Sequence, residues 1–449
     1  MAGGGPAAGP TADHPPRTGT VTGMQVGWGS AGRHVGVRLA VAGTLAALVL
    51  TVAVGVTPSS ATTSPDLPAP TGLPSFYAVP AHLPSTVPGT LLKSERLPSD
   101  GIHGSVYRVL YVSEDLHGAP VPVTGLVMVP TTPPPAGGYP VVTWGHGTNG
   151  LADQCAPSLQ PNQAVPFQND LLDHGWVVTA SDYQGEGTPG LLPYLVGVSA
   201  ARNTIDIVRA ARHLPAAHAG SAYVVWGHSE GGQTAMFAFA IADSYAPELH
   251  LVGTVAAAPP SQFQYIYTFL KTSPYRYYLL MAGAAWNRAY GSSAAPLGEV
   301  ATAKGISLLP DLSKGCADYI GSVTDRYPLD RIIKADPFTV PAWRALLEAN
   351  DPGDLTTASA APLLIVQGGA DEQIPVATSA LLKQHECSLG VATARWIYPG
   401  ENHSGVLAPS MADMDHWIAD RFAGDPAPDP YHPTGLTDVQ VSGCPGGPA

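Results

Sequence analysis

The sequence predicts an α/β fold, with a mostly parallel eight-stranded sheet, helices on both faces and a helical insertion late in the chain. Three observations carry that expectation. Short runs of β-branched and aromatic residues alternate with helical stretches after an antiparallel opening pair. A G-x-S-x-G pattern lies between one of those strands and the helix that follows it. A block from Gln262 to Asp354 then breaks the alternation before the last two strands.

Composition bounds the class. With 449 residues and 45% hydrophobic residues, the chain can bury a large core, whereas charged residues make up only 12%. A net charge of -13 argues against nucleic acid as a partner, because phosphate binding needs a basic surface. Leu39 to Val56 is an almost wholly apolar run behind Arg38, followed by Thr57-Pro58-Ser59-Ser60-Ala61. The small residues at Ser59 and Ala61 suit signal peptidase, so residues 1–61 read as a signal-peptide region of a secreted protein. A start at Met24 gives a leader of ordinary length, and an uncleaved membrane anchor is the alternative. Cys155, Cys316, Cys387 and Cys444 are an even set in an exported chain, which fits two disulfides. Three connectivities are possible, and Cys155–Cys316 with Cys387–Cys444 is the pairing expected. No C-x-x-C or paired-histidine spacing suggests zinc, and neither a metal nor a cofactor is expected.

The elements follow in order. Residues 62–105 are largely proline-rich and read as an extended lead-in. Val106–Val112 and Val121–Val129 form the opening antiparallel pair, and Val141–Trp144 is the third strand. Asn162–His174 reads as a helix, Trp176–Ala180 as a strand, and Val198–Leu214 as an amphipathic helix with Ala201, Ile205, Val208 and Ala211 on one face. Tyr223–Trp226 and Leu251–Ala257 are strands flanking a helix over Gln233–Asp243. Pro362–Val366 and Arg395–Tyr398 complete the eight, with helices at Val376–His385 and Ser410–Phe422. Residues 106–261 and 355–449 therefore form one core, and 262–354 is a helical cap. The cap is rich in aromatics such as Phe263, Tyr265 and Tyr267, and an insertion at this point overlies the C-terminal strand ends where α/β proteins bind ligands.

The chemistry centres on Gly227-His228-Ser229-Glu230-Gly231. A chain with 50 glycines produces G-x-S-x-G by chance, so the flanking strand and helix carry the signal. In that context the turn lifts the Ser229 hydroxyl above the sheet, at the positive end of a helix. A Cβ at Gly227 or Gly231 would collide with the neighbouring strand or helix.

A serine hydroxyl needs a base to take its proton and an acid to orient that base. Asp371 lies in the glycine-rich loop Gly368-Gly369-Ala370-Asp371-Glu372, just past a strand, with Glu372 as the rival acid. His403 lies in Glu401-Asn402-His403-Ser404-Gly405, one strand further on. The order Ser, Asp, His is the order that such a strand–turn–helix serine requires. The negative charge of a tetrahedral intermediate needs backbone N–H donors, and those of Glu230 and Thr148 are the candidates. Gly147, Tyr183 and Tyr265 are the candidate substrate contacts.

These residues together resemble the secretory lipase family of α/β-hydrolases. The similar segments are Trp144-Gly145-His146-Gly147-Thr148 with Cys155-Ala156-Pro157-Ser158, Asp182-Tyr183-Gln184-Gly185-Glu186-Gly187, Pro193-Tyr194-Leu195-Val196-Gly197, the serine turn, and Gly368-Ala370-Asp371. Pro341-Ala342-Trp343 and Glu348-Ala349-Asn350 look like the end of that family's lid. The resemblance runs from about Pro68 to Gly424 and implies a Ser229, Asp371, His403 triad, a Cys155–Cys316 bridge and carboxylic ester substrates. It departs at Thr148, where some lipase A-type members carry an acidic residue. The expected partner is a small ester or lipid, with transient contact at a lipid interface. An acyltransferase or peptidase built on the same triad, or a silent binding fold, are the rival readings.

Overall fold

The structure is a computed structural model that describes residues 67–427 and 439–444. The expected leader, with its apolar run from Leu39 to Val56, lies outside the described residues.

Among the described residues, ten strands build one sheet: β1 (Leu91–Leu97), β2 (Gly104–Glu114), β3 (Pro120–Pro130), β4 (Tyr139–Gly145), β5 (Val177–Ser181), β6 (Ala219–His228), β7 (His250–Ala257), β8 (Leu363–Gly368), β9 (Thr393–Tyr398) and β10 (Gln440–Ser442). Their order across the sheet is β1-β2-β3-β5-β4-β6-β7-β8-β9-β10. Strands β5, β4, β6, β7, β8 and β9 run parallel. The first three strands and β10 pair antiparallel at the two sides.

Neighbouring residues on the central strands go to opposite cores, as a period of two requires. Val141, Val177, Val225, Leu363 and Ile365 join one buried cluster with Ala201, Ile205 and Val208 of α2 (Gly197–His213) and with Phe237 and Phe239 of α3 (Glu230–Tyr245). Val142, Val178, Val224, Trp226, Leu364 and Val366 face the other way. There they meet Leu171 and Leu172, then Met414, Trp417 and Ile418. Those residues belong to α1 (Gln168–Asp173) and to α11 (Leu407–Ala423). Both faces are covered, which is why these strands read as unbroken apolar runs.

The sheet has ten strands rather than the eight read from the sequence. β1 lies in the expected lead-in: Leu-Leu-Lys-Ser-Glu-Arg-Leu lacks β-branched residues and stays only half buried, as an edge strand allows. β10 is three residues long and is secured beside β9 by the Cys387–Cys444 disulfide rather than by apolar content. The expected helix from Asn162 shrinks to the six residues of α1, because Pro166 precedes it and Phe167 turns left-handed at φ 53°.

Between β7 and β8 the chain forms α4 (Phe263–Leu270), α5 (Tyr277–Tyr290), α6 (Leu297–Val300), α7 (Ala303–Leu312), α8 (Ala317–Thr324) and α9 (Pro341–Asn350). Their shared core, with Met281, Trp286, Leu308, Ile320 and Trp343, also takes in Leu151, Tyr183, Tyr194 and Ile374 from loops after β4, β5 and β8. A tenth helix, α10 (Val376–Ser388), follows β8. The second disulfide, Cys155–Cys316, joins the loop after β4 to the start of α8, as the cysteine pairing anticipates.

Candidate active site

Strand β6 ends at His228 and α3 begins at Glu230, so Ser229 is the single residue of the turn. Its backbone has φ 58° and ψ -122°, a strained conformation for a residue with a Cβ. The Ser229 N–H donates to the Ala257 carbonyl at 2.9 Å, tying the turn to the end of β7. The flanking glycines are obligatory. A Cβ on Gly231 would stand 1.8 Å from the Gly145 carbonyl oxygen, and one on Gly227 would stand 2.0 Å from that of Gly231.

Asp371 and His403 meet. His403 Nδ1 lies 3.0 and 2.9 Å from the two Asp371 carboxylate oxygens, with both side chains buried. Asp371 Oδ1 also accepts the N–H groups of Gln373 at 2.9 Å and Ile374 at 2.8 Å, which fixes the carboxylate. Glu372, the rival acid, takes the other part of the same histidine: its Oε2 accepts the His403 main-chain N–H at 3.0 Å. Tyr275 of the helical insertion donates to Glu372 Oε1 at 3.2 Å.

His228 carries His403 to the serine turn. The rings of the two histidines are 4.6 Å apart, and burial followed by the His403 charge lowers the His228 imidazole to about 3. It is therefore neutral at any ordinary pH.

The loop after β4 packs against the turn from the other side. At Gly147 a Cβ would come 3.4 Å from the His228 carbonyl oxygen and 3.7 Å from Ser229 Cβ, so this loop runs directly beside Ser229. Thr148 Oγ1 is 3.0 Å from the Tyr194 hydroxyl. His146 is buried beneath the loop, where its Nδ1 faces the Gly147 carbonyl at 2.8 Å and Nε2 stands 3.6 Å from Glu186. Burial lowers His146 to about 4 and drives Glu186 well above the usual carboxyl range.

Of the residues expected to touch substrate, none of Gly147, Tyr183 and Tyr265 lines the cavity beside Ser229. Tyr183 is 1% exposed and stacks on His146 at 4.1 Å, donating its hydroxyl to the His146 carbonyl at 3.3 Å. It supports the loop after β4 from behind. Tyr265 is 61% exposed on the outer face of α4. Helical periodicity accounts for this, because Ile266 and Leu270 take the inner face.

A narrow cavity of about 120 Å³ opens from Ser229 and Glu230 into the insertion. Its walls are almost wholly apolar and include Leu280, Trp286, Val300, Ile333 and Trp343, with Tyr194 near the mouth. Sequence reasoning did not single out His228 or Tyr194. One occupies a variable position of the G-x-S-x-G pattern, and the other becomes a neighbour of Thr148 only through the fold.

The parallel sheet, the serine turn after its central strand and the His–Asp pair beyond the next strands define an α/β-hydrolase. The secretory lipase profile matches residues 164–429, more than half of the sequence. The chain belongs to the secretory lipase family, and it is a carboxylic ester hydrolase by class. A probable inactive lipase of Mycobacterium tuberculosis (strain CDC 1551 / Oshkosh) is 26% identical over 380 residues, 79% of this chain and 83% of that one. Lipase 6 of Candida albicans (strain SC5314 / ATCC MYA-2876) is 22% identical, with 78% and 81% covered. In fold, Candida antarctica lipase A in its closed state gives a TM-score of 0.68 at 21% identity, covering 79% of this chain and 86% of that one. The rice cell wall degrading esterase LipA from Xanthomonas oryzae gives 0.61 at 22%, covering 75% and 98%.

Proposed function

We propose that the protein is a secreted lipase or esterase that works through a Ser229–His403–Asp371 triad and an acyl-enzyme. The observation that carries this reading is the buried His403–Asp371 hydrogen bond, held through His228 to a strained serine turn. Ser229 Oγ attacks the ester carbonyl carbon while His403 takes the hydroxyl proton. Asp371 holds the imidazole in the tautomer with Nδ1–H, leaving Nε2 to accept. The carbonyl oxygen becomes an oxyanion met by the N–H groups of Glu230 and Thr148. The carbon–oxygen bond to the leaving alcohol then breaks, and His403 returns the proton to that oxygen. Water attacks the acyl-enzyme by the same steps in reverse and releases the acid.

The apolar cavity supports an aliphatic acyl chain as the buried part of the substrate, because burying it there costs no polar group its partner. The helices at 263–350 then act as a cap over the site. Two disulfides in the described part fit an exported protein.

Ser229→Ala tests the reading. Hydrolysis of p-nitrophenyl esters is expected to fall by about a millionfold, and fluorophosphonate labelling to vanish, with circular dichroism unchanged. Equal activity in the variant overturns the reading. A wild-type protein that takes no fluorophosphonate behaves instead as a silent relative of the kind the mycobacterial name describes.

A further inference from the structure

Glu230 follows the nucleophile and is the first residue of α3. Its side chain is 2% exposed, and it lines the same cavity as Ser229. One carboxyl oxygen, Oε2, has no hydrogen-bond partner. Thr148 and Leu195 are the polar neighbours that favour its charged form, and neither brings a charge.

The groups around it do not compensate a negative charge. From the loops after β5 it faces Tyr183, Tyr194 and Glu186, whose own ionisation its charge opposes. His146, under the loop after β4, stands against Glu186 and is held neutral by burial. On the strand side of the turn His228 is likewise neutral. The N-terminus of α3 favours an anion, but that dipole is worth less than the loss of hydration of a buried carboxylate.

We propose that Glu230 serves in its uncharged form as a positioning residue of the oxyanion site, its buried carboxyl lining the cavity beside Ser229, and that its ionisation switches ester hydrolysis off. The inference rests on the triad reading above. Two negative charges cannot be accommodated side by side in one buried pocket. The carboxyl and the developing oxyanion share the Glu230 N–H region and the Thr148 loop, so an ionised Glu230 opposes the transition state directly. Burial raises this carboxyl to about 8, which places the switch on the alkaline side of neutrality.

The test compares kcat/KM for a p-nitrophenyl ester at about pH 7 and about pH 9.5 in the full chain and in Glu230→Gln. Wild type is expected to lose activity by about tenfold or more across that interval, and the variant less than about twofold, because an amide does not titrate. The rate of fluorophosphonate labelling should follow the same two profiles. An equal alkaline loss in both proteins, or none in wild type, overturns the proposal. If Glu230→Gln fails to fold, the protonated-carboxyl infrared band decides the matter in wild type. The proposal requires a carboxyl that stays protonated at neutral pH and loses that band as activity falls. Absence of fluorophosphonate labelling in wild type at every pH overturns the triad reading and this inference together. Labelling with a pH-independent rate overturns this inference alone.

Discussion

His228 Nε2–H donates to the main-chain carbonyl of His403 at 2.8 Å. The residue before Ser229 thus holds the backbone of His403, while Glu372 takes the N–H of the same residue at 3.0 Å. His403 is clamped at both its peptide groups and at Nδ1, which restricts the movements of its imidazole.

Removing that clamp should cost positioning rather than chemistry. His228→Ala is expected to lower kcat by about tenfold with little change in KM. His228→Gln, whose amide N–H reaches a similar point, should restore most of the loss. Steady-state kinetics with one soluble ester check both, and equal rates in all three proteins refute the clamp.

The two neighbouring acids should separate cleanly. Asp371→Asn is expected to reduce kcat by about 10⁴-fold, because the imidazole loses its orienting charge and its tautomer. Glu372→Gln keeps an oxygen acceptor for the His403 N–H and should lose no more than about tenfold. A reversed order of the two losses would exchange their roles.

The cavity wall sets chain length in this reading. Val300→Phe places a ring in a space of about 120 Å³, so long acyl chains should be refused. The expected outcome is a drop of about tenfold or more in kcat/KM for esters of long acids, with acetate and butyrate esters changed less than about threefold. A chain-length series of p-nitrophenyl esters measures it.

Stability should be greater at about pH 5 than at about pH 8.5. Burial raises Asp182, Asp206 and Asp351 to about 6, Glu386 to about 7 and Glu230 to about 8, and raises Glu186 strongly. Each contributes stability that is present below the unfolded carboxyl range and is lost as pH rises through its folded value. His146 and His228 work oppositely. Held neutral in the fold at about 4 and about 3, they contribute above the unfolded value of 6.5 and lose it as pH falls. Six buried carboxyls outweigh two buried imidazoles, so thermal unfolding scans should place the higher Tm on the acid side.

Much of this was legible in the sequence, for identifiable reasons. Buried parallel strands such as Leu363–Val366 leave a continuous apolar run, and Ser229, Asp371 and His403 each follow such a run in the required order. The strands at the two edges were not legible. Leu91–Leu97 and Gln440–Ser442 are held by pairing and a disulfide, and their side chains carry almost no apolar pattern. Tyr183 and Tyr265 misled for a related reason: an aromatic near a site has the same letter whether it props a loop or faces water. His228 had no signal at all, since its role exists only once β9 brings its loop alongside β6.

The Cys387–Cys444 bond holds β10 along β9, and the loop leaving β9 carries His403. Without that strip the last parallel strand would present a row of bare amides and carbonyls, a template on which another molecule can zip. Reduction of this one bond therefore threatens solubility before it threatens catalysis, and reductant in storage buffer should promote clumping of protein that still turns over ester.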